Sequence, residues 1–318
     1  MTGVIASPEM PITTIVAAVD LSAQADQALE RAAALAELRG AKLVVVHAQA
    51  DDAPIANVNN EMLERLGQVS AAVRAEESRQ LGERLEALRS RGVDAELVSR
   101  VGAPGEVIAQ IANERRAELV VAGTHGLTGI SRFLLGSVAN AILRHAPCDV
   151  LVCRGTSGPS AFQRPLVATD FSPAAARALR NAAELAAPGA TIDVIHAWQL
   201  PAGSWGATLL GQARFPWSTV RDAVLSAARA QADQLVAAHA ALGRTIHVEL
   251  VQGPPASVIT HAAERGGYDL IALGTHGHRG FRRLLLGSVA ESTIRHAPCS
   301  VLVAHGEHAG ETAKFKKT

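Results

Sequence analysis

Charge of neither sign is in excess in this chain. Lys plus Arg and Asp plus Glu each number 30, so the formal net charge is zero. A dedicated nucleic-acid binder carries a basic footprint, and none is present, so that class is set aside. The small cluster Lys314-Phe315-Lys316-Lys317 reads as a solvated end. Cysteine is scarce: Cys148, Cys153 and Cys299 are an odd number without CxxC spacing. They read as buried thiols of a reducing compartment and exclude a disulfide framework or a zinc site. No apolar run approaches the ~20 residues of a membrane span. The opening MTGVIASPEMPIT lacks the basic and long apolar regions of a secretory signal. The expected location is therefore cytoplasmic, with no membrane partner. A GxxxxGK[ST] loop is also missing, which removes the phosphate-binding lysine and magnesium-holding hydroxyl of a P-loop enzyme. The 12 histidines show no metal-ligand spacing with Cys or Asp, so no protein-held metal site is expected.

What the chain does have is repetition. GTHGLTGISRFLLGSV from Gly123 returns as GTHGHRGFRRLLLGSV from Gly274, and HAPCDVLV from His145 returns as HAPCSVLV from His296. VGAPGEVI from Val101 returns as QGPPASVI from Gln252, and IVAAVDLS from Ile15 as LVATDFS from Leu166. Gly123 to Gly274 and Cys148 to Cys299 are both separations of 151 residues. A repeat of that length is a domain, not a solenoid unit. Two domains of one fold are expected, 1–156 and 157–318, joined through the Gly/Ser/Pro-rich RGTSGPSAFQR.

Within a repeat, short apolar runs alternate with helical patterns. Thr13–Val19 reads as a strand ending at Asp20. Ser22 can cap a helix whose Ala25, Ala28, Leu29, Ala32, Leu35 and Ala36 share a face, and Gly40 stops it. Ser172-Pro173 starts the equivalent helix of the second repeat. Strands follow at Lys42–Ala48, Ala95–Val101, Glu118–Ala122 and Asp149–Cys153, with helices between them. Apolar runs without alternation are strands covered on both faces. The fold class is therefore α/β, with two doubly wound, Rossmann-like parallel five-stranded sheets in tandem, strand order 3-2-1-4-5. Ligands of such sheets bind beyond the carboxyl ends of the strands where the order reverses. Strands 1 and 4 flank that point, which brings together Asp20 or Asp170 and the glycine loop after Ala122 or Leu273.

Those loops suit an anion. Glycines let backbone N–H groups approach it, and Gly136-Ser137 and Gly287-Ser288 each open a helix whose free N–H groups favour negative charge. Arg132, Arg282 and Arg283 lie within reach of a polyphosphate along the loop. Two plainer readings stay open: glycines after a strand also serve as turn residues, and Asp20 and Asp170 also suit helix entry.

The spacing Gly-2x-Gly-9x-Gly-Ser, held in both repeats together with VAAVDLS/VATDFS, VVHA/VIHA and HAPC-x-VLV, resembles the ATP-binding branch of the universal stress protein family across essentially the whole chain. The resemblance implies an adenine nucleotide alpha-hydrolase-like fold. It implies ATP, or ADP or AMP, as ligand, with Mg²⁺ arriving on the nucleotide. Asp20 and Asp170 would meet adenine or its ribose, and Ala48 and Ala197 would meet adenine through backbone groups. Ala122, Gly123, Gly126, Gly136, Ser137 and Val138 would line ribose and phosphates, as would Leu273, Gly274, Gly277, Gly287, Ser288 and Val289. Many family members have Val where Ala48 and Ala197 stand, so a looser adenine pocket is expected.

The expected role is a nucleotide-binding stress-response regulator acting on protein partners the sequence does not name, as a possible homodimer. The alternative is a slow ATPase or phosphotransferase on the same sites, with His125 and His276 in the loop as candidates for slow hydrolysis. A phospho-receiver domain would want an Asp after strand 3 and a Lys after strand 5, where Arg100-Val101-Gly102 and Arg154-Gly155 stand. The halves differ at Trp198, Trp205 and Trp217, all after strand 2 of the second repeat, a segment suited to a lid or an interface beside the adenine edge.

Overall fold

Thr14–Ala18 forms strand β1, and its Ile15, Val16 and Ala17 are wholly buried, as a run without polar alternation requires. The structure is a computed structural model describing residues 12–49, 60–124, 135–155, 161–200, 217–275 and 286–305. Residue contacts divide these into a first unit over 12–124 and 136–148 and a second from 149 onward.

In the first unit β1 is followed by α1 (Ala23–Arg39), β2 (Lys42–Gln49), α2 (Asn60–Ser90), β3 (Ala95–Val101), α3 (Pro104–Glu114), β4 (Leu119–Gly123) and α4 (Ser137–His145). The Ser22 hydroxyl accepts the Ala25 N–H at the start of α1, and Gly40 ends the helix in the left-handed region at φ 62°. The face anticipated for α1 is buried, with Ala33 added to it. The sheet runs β3-β2-β1-β4, every pairing parallel.

The second unit contains β5 (Asp149–Cys153), β6 (Pro165–Ala168), α5 (Pro173–Leu185), β7 (Ile192–Trp198), α6 (Trp217–Ala238), β8 (Ile246–Gln252), α7 (Pro255–Gly266), β9 (Leu270–Gly274), α8 (Ser288–His296) and β10 (Ser300–Ala304). Its parallel strands lie in the order β8-β7-β6-β9-β10, which is 3-2-1-4-5 counted along the second repeat. Strand β5 adds to the edge antiparallel to β10, with Leu151 opposite Leu302. That strand is the last of the first sequence repeat, so the repeat boundary and the contact division fall at different places.

A buried polar cluster holds this edge. Asp149, 1% exposed, accepts Arg177 Nε at 3.1 Å, the His305 N–H at 3.0 Å and the Asn181 amide. The Arg154 guanidinium donates to the carbonyls of Ala297 at 2.6 Å and Ile294 at 3.3 Å, at the C-terminal end of α8 where a cation is favoured. Cys148 and Cys299 are buried as expected, but Cys153, the last residue of β5, is half-buried. Burial, with Asp269 adding to it, pushes the Cys299 thiol up to about 12. Among the described residues no helix is long and apolar enough to cross a membrane, and no cluster of His, Cys, Asp or Glu could hold a metal ion.

Removing one partner of a buried ion pair strands the other charge, at a cost of about 3–5 kcal/mol. Arg177→Ala should lower the unfolding free energy by that order, measured by urea denaturation. Arg180→Ala, which removes a neighbouring cation outside the cluster, should change it little.

Candidate functional site

Strand β1 lies between β2 and β4 and runs parallel to both, with Ala17 opposite Val45 on one side and Val121 on the other. Helical connections leave in opposite directions at this point, so no helix covers the strand ends and a crevice opens there. It holds a cavity of about 290 Å³ walled by Asp20, Ala48, Ala122, Gly123, Ser137 and their neighbours. The second unit repeats it between β6 and β9, where a cavity of about 240 Å³ is walled by Asp170, Ala197, Leu273, Gly274, Ser288 and their neighbours.

The turn after the first strand is built the same way twice. Asp20 Oδ1 accepts the Ser22 N–H at 3.1 Å and the Ser22 hydroxyl at 2.6 Å. Asp170 Oδ1 accepts the Ser172 N–H at 3.0 Å. Each serine hydroxyl then accepts a free N–H in the first turn of its helix, Ala25 at 3.2 Å or Ala175 at 3.3 Å. The residue between, Leu21 at φ 64° or Phe171 at φ 62°, is in the left-handed region although it is not glycine. Such backbone costs on the order of 1–2 kcal/mol and persists only where the surroundings enforce it. One carboxylate oxygen is thus committed to the turn, and among the described residues the second, Oδ2, takes no hydrogen bond.

Histidines lock the opposite side of the same strand end. His47 Nδ1 lies 2.9 Å from the Val19 carbonyl, and His196 Nδ1 lies 2.9 Å from the Thr169 carbonyl. A carbonyl only accepts, so Nδ1 carries the proton in both. Their surroundings differ: His47 Nε2 is 3.7 Å from Glu77 on α2, whereas His196 packs its ring 4.5 Å from that of Phe171.

Across the cavity, the Gly136 N–H donates to the Thr124 carbonyl and the Gly287 N–H to the Thr275 carbonyl, each at 2.9 Å. Neither α4 nor α8 has a side-chain cap. The N–H groups of their first turns, at Ser137, Val138 and Ala139 and at Ser288, Val289 and Ala290, therefore border the cavities with no partner among the described residues. Gly136 and Gly287 have φ of −59° and −64°, which any residue adopts. Gly123 and Gly274 are required for a different reason. A Cβ on Gly123 would stand 3.2 Å from the Gln24 carbonyl oxygen, and one on Gly274 would stand 2.7 Å from Ala174 Cβ. These two glycines let the fourth strand touch the first turn of α1 or α5.

Every anticipated site residue that is described thus lines one of the two cavities: Asp20, Ala48, Ala122, Gly123, Gly136, Ser137 and Val138 in the first, and Asp170, Ala197, Leu273, Gly274, Gly287, Ser288 and Val289 in the second. Gly126, Gly277, His125, His276, Arg132, Arg282 and Arg283 lie outside the described residues. Sequence reasoning overlooked the outer wall, Pro104 with Ile108 and Pro255 with Ile259. The repeated VGAPGEVI/QGPPASVI was a sufficient signal, since it places a proline at the first turn of a helix beside the crevice. Trp198 ends β7 and is 7% exposed. It lines a separate groove of about 660 Å³ beside α6 and β8, away from the wall of the second cavity. Trp205 lies outside the described residues.

A parallel doubly wound sheet with an uncapped helix facing its switch point defines an α/β protein of the Rossmann-like type. The universal stress protein family profile matches residues 11–154 and again 161–305, and the chain belongs to that family as a tandem member. A curated relative bearing the universal stress protein name, from Staphylococcus aureus (strain USA300), is 38% identical over 162 residues, 49% of this chain and 91% of its own. A universal stress protein from Archaeoglobus fulgidus DSM 4304 shares the fold over 93% of this chain and 97% of its own, at a TM-score of 0.62 and 23% identity. A functionally unknown protein from Pseudomonas aeruginosa PAO1 does so over 93% of both chains, at 0.65 and 18%.

The close approach at the strand end sets a stability test. Gly274→Ala forces a contact that cannot be relieved by one side chain, and overpacking of this kind costs about 1–3 kcal/mol. Chemical denaturation should show that loss for Gly274→Ala and a smaller one for Gly123→Ala, whose contact is looser.

Proposed function

We propose that each unit binds one adenine nucleotide, ATP or its di- or monophosphate, and that the loaded protein acts as a stress-response regulator through nucleotide-dependent contacts with other proteins. The observation that carries this reading is the uncapped helix start at Ser137 and Ser288, open to a cavity closed on its far side by Asp20 or Asp170. Cavities of 290 and 240 Å³ are just below the ~300 Å³ lower end of ligand sites and suit a base with its ribose. The phosphates would then meet the N–H groups of α4 or α8, where negative charge is favoured by about 0.3–1 kcal/mol per exposed helix terminus. Asp20 and Asp170 have an uncommitted oxygen suited to accept from a ribose hydroxyl. Ala48 and Ala197 offer backbone groups to adenine. Mg²⁺ fits as a companion of the phosphates, because among the described residues the walls supply one carboxylate per cavity and that carboxylate already holds a turn.

The tandem units 1–156 and 157–318 would each contribute one site, in a soluble cytoplasmic protein. Isothermal titration with ATP should give close to two sites per chain. Gly136→Val or Gly287→Val adds bulk at a helix entrance whose backbone accommodates it, so each should remove one site and the pair should remove both. A wild type that gives no heat and carries no nucleotide by mass spectrometry overturns the reading. Phosphate release above background that vanishes in Asp20→Ala combined with Asp170→Ala would assign the sites to slow hydrolysis instead.

A further inference from the structure

The two cavities are nearly one design. Fourteen described residues wall the first, and twelve of them recur unchanged at the matching positions of the second. The exceptions are Val19, matched by Thr169, and Ala122, matched by Leu273. Valine and threonine have nearly the same shape, and the Thr169 hydroxyl is committed to the turn, accepting the Phe171 N–H at 2.9 Å. Leucine exceeds alanine by three carbon atoms. Ile195, opposite Ala168 in register, adds one more where Val46 lies opposite Ala18, and it too reaches the wall of the second cavity. The second cavity is accordingly the smaller, about 240 against about 290 Å³.

Leu273 lies where size matters most. A Cβ on its neighbour Gly274 would meet Ala174 on α5, so strand alternation turns Leu273 to the other face of the sheet. There it joins Ile259 and Ala290, all three buried, as Ala122 joins Ile108 and Ala139. This is the apolar, buried end of each cavity. Ser137 and Ser288, at the helix starts, are exposed and form its open end. The flat base is the least polar part of a nucleotide, and the phosphates are its charged part. Burial therefore sends the base to the end with Ala122 or Leu273 and leaves the phosphates with the helix N–H groups.

We propose that Ala122 and Leu273 set which bases the two sites admit, so that the pair is one wide site and one narrow site. This rests on the nucleotide reading above and adds a selectivity to it. Leu273 packs against unsubstituted adenine and excludes a base enlarged at that edge. Ala122 leaves room there, and the first site admits adenine carrying a substituent of two or three heavy atoms. A hydrophobic pocket discriminates about 10–200-fold per methylene group, so a difference of three carbons gives a readable ratio. Nearly all the other walls are shared, so the ratio should travel with this one residue.

Isothermal titration of full-length single-site chains tests this, with Gly287→Val leaving the first site and Gly136→Val the second. The probes are ATP, 2-methylthio-ATP and N6-ethyl-ATP, the last two each larger than ATP by two heavy atoms. In the second site one or both enlarged probes should bind at least about tenfold more weakly than ATP, a loss absent from the first. Ala122→Leu in the first site should create that loss, and Leu273→Ala in the second should remove it. Equal ratios in the two unexchanged sites overturn the proposal. Ratios that differ but stay with their unit after the exchange overturn it too, and move the selectivity to Val19 and Thr169 or beyond the described residues. An exchange that abolishes ATP binding also overturns it, because each cavity already binds ATP with the other's residue. If neither single-site chain binds ATP, the nucleotide reading fails and takes the size filter with it. If both bind ATP without discriminating among the probes, only the size filter fails.

Discussion

Parallel pairing of the first and fourth strands of each repeat is the constraint on which the site depends. Ala17 sits opposite Val121 in the first unit, and Val167 opposite Ala272 in the second. Counting forward in register, the chain leaves both sheets within two or three residues of that point, as an Asp-containing turn on one side and a glycine on the other. An antiparallel partner would have sent those two strand ends to opposite edges. The crevice, the helix starts that face it and the carboxylate at its rim all follow from strands that end together.

Close packing then decides which residues the crevice tolerates. The fourth strand touches the first turn of α1 or α5 so tightly that no Cβ fits at Gly274 without displacing Ala174. The same helix turn is held from the other side by the Asp and Ser hydrogen bonds and by a left-handed Leu21 or Phe171. The protein's own contacts therefore fix the turn after the first strand on this side of the rim.

The two units keep this frame and vary its lining. Ala122 in the first cavity is Leu273 in the second, and Val19 is Thr169, consistent with the smaller second cavity. Behind the rim, a carboxylate from α2 approaches His47, whereas an aromatic ring covers His196. Duplication preserved the contacts that shape the backbone and relaxed those that only fill space. Two cavities of one design in a single chain thus differ in size and lining.

The sequence by itself determined the repeat, the strand and helix order, the caps at Ser22 and Ser172 and the Asp, Gly and Ser residues of each crevice. Those features rest on neighbours a few positions apart, and periodicity, capping and glycine spacing record such neighbours directly. It also pointed to the conformational use of glycine, yet Gly136 and Gly287 have ordinary backbone angles. What Gly123 and Gly274 answer to is a helix turn roughly a hundred residues earlier in the chain. Only the tertiary structure decided that, as it decided the wall of Pro104 and Pro255, the half-exposure of Cys153 and the separation of Trp198 from the second cavity. Each depends on register and on distances between segments far apart in sequence, and no local pattern encodes how closely two such segments come to lie.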